Sequence, residues 1–418
     1  MLGVLGMVGL LAMGGCDRRE VTAPAGWPGP GQEWSGESVV LRVLLAQQRQ
    51  VRVGGDGGVS ITTAGGELVA GPLTGTGCWA GRVEERWVLH DDAGGVLAQE
   101  SQAGEWGSTL NVRSAGGGFL RVGEGAGRPY RGELRLVAGR EGRVALVNDV
   151  GVEEYLLGVV GSEMPAYWHR AALQSQAVAA RTYALYRKHR GVGRGAWDLG
   201  SDQGSQVYGG VERETARVRE AVETTAGLVL TYPWQGQERI FPTFYSSTCG
   251  GHTRDAAEVF SLSLAPLKGV RCPYCRGVAK AEMYRWGPVE FDKAEVSKRL
   301  LAADPDLKVL GSVADMRVAL RSEEGRVERL ELVGANGLRR TIRGETFRMA
   351  VNTPEQPVRS SWFELVDGGD VWRLVNGHGW GHGVGLCQCG AEGLARAGED
   401  CVGILSHYYP GARLVRAY

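Results

Sequence analysis

One carboxylate in this chain stands where acid–base chemistry is conceivable. Glu163 lies in the stretch Gly-Ser-Glu-Met-Pro, residues 161–165, directly before a run in which Leu173, Ala177, Ala180 and Ala184 recur at helical spacing. Pro165 suits the first turn of a helix, where its missing N–H costs nothing, so the pattern predicts Glu163 pinned at a helix entrance. A carboxylic acid whose pKa is raised by burial can protonate a poor leaving oxygen. Acidic residues also gather at helix starts for dipole reasons alone, and there the ionised form is favoured. For the acid role, desolvation by Met164, Tyr167 and Trp168 has to outweigh that dipole.

A second set of residues has the spacing of a metal site. Cys249-x2-His252 is followed, after 19 residues, by Cys272-x2-Cys275. Two close pairs separated by such a loop match a tetrahedral Cys3His zinc site. Four protein ligands would close the shell, so the expected role is structural: it ties the Ser246-Ser247-Thr248 turn to the loop at residue 270. Disulfide bonding in an oxidising compartment is the rival reading. Cys78, Cys387, Cys389 and Cys401 remain over, with room for one or two disulfides whose pairing the sequence does not fix. No Cys-His-Asx order marks a thiol nucleophile.

Further polar and aromatic groups suit a sugar cleft. In Gly377–Gly385 (GHGWGHGVG) the glycines permit tight turns and Trp380 offers a face for stacking. His382 is either a hydrogen-bonding cleft residue or part of a packed turn; no carboxylate stands at a spacing that would make His378 and His382 a metal pair. Arg181 follows Glu163 by eighteen residues and is either a cleft residue or half of a buried ion pair. Gln206, Tyr208, Ser246 and Ser247 are the polar types that line such clefts.

The block Glu153–Arg187 (EEYLLGVVGSEMPAYWHRAALQSQAVAARTYALYR) resembles the SpoIID/LytB family, the stage II sporulation protein D and LytB proteins. The family pattern runs E-Y-L-x-G-V-V-x-x-E-M-P, then A-L-K-A-Q-A-V-A-A-R-T-Y-A-L. Glu163, Met164, Pro165, Gln176, Arg181, Thr182 and Tyr183 match it; Gln174 stands where the family usually has Lys. Asp202–Tyr208, Phe244–Thr253, Gly325–Val327, Phe347-Arg348, Ser360–Phe363, Gly379–Ala391 and His407–Gly411 match later motifs in order, so the resemblance covers about residues 130–418. It implies a peptidoglycan lytic transglycosylase, with Glu163 as general acid/base cleaving between N-acetylmuramic acid and N-acetylglucosamine to leave 1,6-anhydro ends. One carboxylate suffices there, because the sugar's 6-hydroxyl replaces the water that the usual two-carboxylate scheme activates. It implies substrate-binding roles for Arg181, Gln206, Tyr208, Ser246, Ser247 and His382, and zinc near the active site in some members. The alternative it implies is a non-catalytic amidase enhancer that binds cell wall and activates an N-acetylmuramoyl-L-alanine amidase.

The remaining features bound the setting. The 418 residues are ample for two domains. Lys+Arg and Asp+Glu both number 47, and this zero balance argues against nucleic acid and for a neutral partner such as glycan. The apolar run Leu2–Met13 is too short to span a bilayer and ends in Gly14-Gly15-Cys16, which is the form of a lipoprotein signal with Cys16 as the lipidated residue. An ordinary signal peptide or a simple anchor helix is the rival; all three readings place the body outside the cytoplasm.

The expected organisation is a signal over residues 1–16, a Pro/Gly-rich linker over 17–36, a β-rich domain over 37–125 and the SpoIID/LytB-like core over 126–418. The fold class is α+β, a mixed helix and antiparallel strand core behind an N-terminal β-rich domain. Strands are expected at Val39–Leu45, Gln50–Val53, Val59–Thr62, Arg86–Leu89, Thr109–Val112, Tyr130–Val137 and Val144–Val147. Later come a helix at Glu212–Thr225, strands at Leu228–Tyr232 and Arg239–Tyr245, a helix at Ala294–Ala302, a meander over Met316–Ile342 and short helices at Ala391–Ala397 and Val402–Tyr408.

Overall fold

The computed structural model describes residues 39–74, 77–191 and 195–418. Cys16, the expected signal and the expected linker lie outside the described residues. Among the described residues no helix is long and apolar enough to cross a membrane.

The chain divides at Pro242. Of the described residues, 39–242 joined by Leu414–Tyr418 make one unit; Thr243–Arg413 make the other.

The first unit begins as two antiparallel-dominated sheets of seven and six strands. Val40–Gln48 pairs with Val144–Gly151 along its whole length, from Val40 opposite Gly151 to Gln48 opposite Val144. Alternation of apolar and polar residues sends one face of each strand inward. The inward sets of both sheets, among them Val53, Ile61, Trp87, Leu110, Leu134 and Leu146, form a single core. Trp87 is fully buried there, with its indole N–H donating to the Gly107 carbonyl at 2.9 Å. The expected boundary at residue 125 falls inside this assembly: Leu120–Val122 pairs with Arg128–Tyr130, and Glu133–Ala138 and Val144–Gly151 are interior strands of the seven-stranded sheet. Without Leu134, Leu136, Val144 and Leu146 the shared core would be open on one side, so the β-rich domain runs on to Gly151.

Its last strand leads straight into three helices, α1 (Val152–Glu163), α2 (Arg170–His189) and α3 (Ala216–Thr224). A three-stranded sheet of Gln237–Ile240, Leu228–Trp234 and Arg413–Arg416, in that order, completes the unit. The strand expected over Arg239–Tyr245 stops at Ile240; Pro242, lacking an N–H, cannot extend the ladder.

The second unit has a core of Trp286, Phe291, Leu330, Phe347, Phe363 and Trp372. It lies among the meander Val313–Arg321, Val327–Gly334 and Arg339–Arg343, a second three-stranded sheet, and helices Lys293–Ala303 and Gly344–Val351. Tyr245–Ser246 pairs in parallel with Leu386–Cys387, and helices Gln388–Arg396 and Cys401–Tyr408 follow. The fold class is α+β, with multiple antiparallel sheets and an N-terminal β-rich region.

Candidate functional site

Glu163 is not at a helix entrance. It is the last residue of α1, and Met164 after it is extended at φ −127°, ψ 144°. The cause is Pro165, whose ring pushes the preceding residue out of the helical region and ends the helix. α2 starts only at Arg170, capped by His169, whose ring accepts from the Ala171 N–H at 3.3 Å. The α1 dipole therefore acts on Glu163 in the opposite sense. A helix C-terminus is the end that repels negative charge, so the obstacle expected at this carboxylate is absent. Of the three residues expected to desolvate it, Met164 and Trp168 are buried and Tyr167 is 74 % exposed.

Two glycines of α1 set how closely it packs. A Cβ at Gly158 would lie 2.6 Å from the Tyr208 ring, and one at Gly161 would lie 2.0 Å from the Arg213 carbonyl. The helix face N-terminal to Glu163 is thus pressed against residues 208–213. Tyr208 is 3 % exposed; its hydroxyl donates to Asn148 Oδ1 at 3.1 Å and its ring lies 4.8 Å from that of Tyr155. Gln206 is also buried, accepting from Tyr155 Oη at 3.1 Å and donating to the Ala180 carbonyl at 3.2 Å. Both side chains are inside the fold. The residue between them reaches the carboxylate: the Val207 backbone N–H donates to Glu163 Oε1 at 2.9 Å. Glu163 itself is half-buried. Tyr155, fully enclosed, has its hydroxyl pKa pushed far up by burial and by neighbouring groups that include Tyr208, Tyr183 and Glu163.

Arg181 has no exposed surface. Its Nε and Nη2 donate to the two carboxylate oxygens of Glu153 at 2.8 and 2.7 Å, and Nη1 donates to the Leu228 carbonyl at 3.1 Å. Burial raises the Glu153 pKa, but the Arg181 hydrogen bonds and charge outweigh it and hold the carboxyl below its usual range. Of the two roles the sequence left open for Arg181, the geometry is that of the buried ion pair. Gln174, where the family pattern has Lys, donates to Thr224 Oγ1 at 2.9 Å.

Ser246, Ser247 and His382 belong to the second unit. Ser246 is buried beside Gly381, where a Cβ would come within 2.9 Å of the serine Cβ. The Ser247 carbonyl accepts from Cys389 N–H at 3.0 Å. His382 accepts from the Val384 N–H through Nδ1 at 3.0 Å, which assigns the proton to Nε2, and its ring meets Phe260 edge-on at 5.2 Å. Burial pushes its pKa down to about 4, so it is neutral at pH 7. Trp380 is 40 % exposed, but the Arg359 guanidinium sits 4.2 Å over its ring and occupies one stacking face.

Three of the four residues expected to hold zinc come together. The Sγ atoms of Cys249, Cys272, Cys275 and Cys387 all lie within 4.8 Å of one another, and all four residues are buried. His252 is not among them: its Nδ1 lies 2.6 Å from the Thr253 carbonyl and 3.4 Å from Glu324. Cys387 replaces it. None of Cys78, Cys249, Cys272, Cys275, Cys387 and Cys389 is in a disulfide. Cys78 lies buried in the β core, and burial pushes its thiol up to about 12, which makes it inert.

Comparison with known proteins follows the same lines. The family model for the stage II sporulation protein matches residues 140–232, and one for a domain of unknown function matches residues 275–385. The chain is 30% identical over 285 residues to stage II sporulation protein D of Bacillus subtilis, covering 65% of this chain and 76% of that protein. It is 29% identical over 289 residues to an uncharacterized protein of Brachyspira hyodysenteriae, covering 69% and 73%. The amidase enhancer of Bacillus subtilis is 27% identical over 294 residues, or 62% of this chain and 40% of that protein.

Proposed function

Because the chain belongs to the stage II sporulation protein D family, we propose that it works on the bacterial cell wall as a lytic transglycosylase, with Glu163 as its single acid–base group. The observation that carries this reading is the placement of Glu163. Its half-buried carboxylate ends α1, and the Val207 amide N–H holds Oε1 in place. In the proposed reaction the carboxylic acid gives its proton to the oxygen linking N-acetylmuramic acid to N-acetylglucosamine. The muramic acid 6-hydroxyl oxygen then attacks the anomeric carbon as its bond to the protonated linking oxygen breaks; N-acetylglucosamine leaves with that proton as a hydroxyl, and the 6-hydroxyl proton passes to Glu163, leaving a 1,6-anhydro end. Arg181, Gln206 and Tyr208 act in this reading by holding α1, α2 and the segment at Val207 in place. Ser246, Ser247 and His382 are kept as substrate-binding candidates of the second unit. The protein is placed outside the cytoplasm, tethered to the membrane through a lipid on Cys16.

The second reading is a non-catalytic amidase enhancer that binds wall and activates an amidase partner. It is favoured by the likeness to the Bacillus subtilis amidase enhancer and by Gln174, which stands in place of the pattern's Lys and is spent on Thr224.

The test incubates the protein from residue 36 onward with peptide-free glycan strands and reads the products by mass spectrometry, beside Glu163→Gln. Anhydro-muramic ends from the unsubstituted protein alone support the transglycosylase. No product from the folded protein, together with stimulation of a cell-wall amidase, moves the assignment to the enhancer.

A further inference from the structure

We propose that Cys249, Cys272, Cys275 and Cys387 form a closed tetrathiolate zinc site that clamps the base of the segment between Cys275 and Cys387. The inference concerns this cluster alone and does not depend on whether Glu163 cleaves glycan.

The donor set fits Zn²⁺. Four thiolates around one zinc, each at about 2.3 Å, stand ~3.8 Å apart in a tetrahedron. Cys249 Sγ and Cys275 Sγ are 3.8 Å apart, and no pair of the four exceeds 4.8 Å. All four residues are buried with no exposed surface. With the four sulfurs ionised, such burial requires a cation, since unpaired thiolates would repel one another and lose their hydration.

The shell around the sulfurs is built for thiolates. Cys387 Sγ accepts the N–H groups of Cys249 at 3.2 Å and Gly390 at 3.4 Å, and it caps the helix Gln388–Arg396, whose N-terminus favours negative charge. Tyr408 Oη lies 3.0 Å from Cys272 Sγ. Gly390 has to be glycine, because a Cβ there would stand 2.5 Å from Cys272 Sγ. Outside this shell the buried Arg326 donates to the Cys249 carbonyl, which fixes the backbone of the first ligand.

The chain positions of the ligands give the site its purpose. Cys272 and Cys275 sit at the start of the 275–385 segment matched as a domain of unknown function, and Cys387 follows its end. A metal held by both closes the stem of that segment with one centre. It also fixes the parallel pairing of Tyr245–Ser246 with Leu386–Cys387 and the mutual hydrogen bonds of Thr248 and Trp380, at 3.2 and 2.8 Å. Closing a long loop removes the most chain entropy from the unfolded state.

The experiment measures metal in the full chain, purified without chelator from cells grown with zinc, by elemental mass spectrometry and native mass spectrometry. One zinc per chain is expected, retained in His252→Ala and lost in Cys387→Ser. Cobalt exchanged into the unsubstituted protein is expected to show the intense sulfur-to-cobalt absorption of four thiolates. This reading keeps the test decisive if Cys387→Ser fails to fold. Chelation is expected to lower the melting temperature by on the order of 5–10 °C. Metal-free protein with its cysteines paired as disulfides, iron in place of zinc, a three-thiolate cobalt spectrum, or loss of zinc in His252→Ala would each overturn the proposal.

Discussion

The guanidinium of Arg181 and the carboxylate of Glu153 meet edge to edge through two parallel hydrogen bonds, on a side chain with no exposed surface. Breaking such a pair from one side leaves the other charge without its partner. Arg181→Met leaves Glu153, whose side chain is 32 % exposed and still accepts from Gly227 and Tyr418, and is expected to cost about 1–3 kcal/mol, read as a shift in the urea midpoint. Replacing both, Arg181→Met with Glu153→Leu, should recover a substantial part of that loss. If the double variant is no better than the single one, the pair is not what holds α1 to α2.

The same carboxyl makes a pH prediction. Its folded pKa is held below the unfolded value, so its stabilisation is complete above pH ~4.5 and is lost as pH falls through the folded pKa. The acid limb of the stability curve should flatten in the Glu153→Leu, Arg181→Met double variant.

His382 titrates with the opposite chemistry but the same sign. Its folded pKa of about 4 lies below the ordinary imidazole value, so between pH ~6.5 and 4 the unfolded chain binds the extra proton and stability falls on acidification. The full shift corresponds to about 3–4 kcal/mol. His382→Asn, whose carbonyl can replace Nδ1 in accepting from Val384, should show a smaller loss over that window in denaturation curves taken at pH 7 and pH 4.

Gly158 and Gly161 should not be equivalent. Gly158→Ala meets the edge of the Tyr208 ring, which can shift, whereas Gly161→Ala meets the Arg213 backbone carbonyl at 2.0 Å. Both variants are expected to melt lower, Gly161→Ala by the larger margin, on the order of 2–4 kcal/mol. Equal melting temperatures would show that residues 208–213 yield freely.

Glu163→Asp tests the link between Val207 and the proposed acid. The shortened carboxylate cannot keep both its position and the Val207 N–H bond of 2.9 Å. Anhydro-product formation is expected to drop at least ~100-fold with the melting temperature unchanged; full activity would remove Val207 from the argument.

Much of the α+β fold was legible in the pattern. The strand runs from Val39 to Val147, the helix ending at Thr224 and the meander after Val313 appear close to where alternation and helical spacing put them. α1 was not legible, because Gly158 and Gly161 lower helix propensity and their reason for being there, Tyr208 and Arg213, lies some fifty residues away. That omission misplaced Glu163 at the wrong end of a helix. The Cys249, Cys272 and Cys275 cluster was visible because its spacing is local. Cys387 was not, since only the parallel pairing of Leu386–Cys387 with Tyr245–Ser246 brings it there. Arg181, Gln206 and Tyr208 were visible as polar residues, but polarity alone does not say whether a hydrogen-bonding group faces solvent or another buried group.

The return of Leu414–Tyr418 to the first unit has a consequence for the order in which a ribosome could let this protein fold. Tyr418 Oη donates to Glu153, Ala417 N–H to the Gly227 carbonyl at 2.8 Å, and Arg416 to the Ala226 carbonyl at 2.6 Å. The core shared by the two large sheets is complete in sequence at residue 151, and only their edge strand Leu199–Gly200 comes later. The layer that carries Glu163 has to wait for the whole Thr243–Arg413 unit to be translated before its final strand and the third partner of the Glu153–Arg181 pair arrive. A premature stop at codon 414 would leave every candidate catalytic and metal-binding residue encoded, yet would yield a first unit with an unfinished edge.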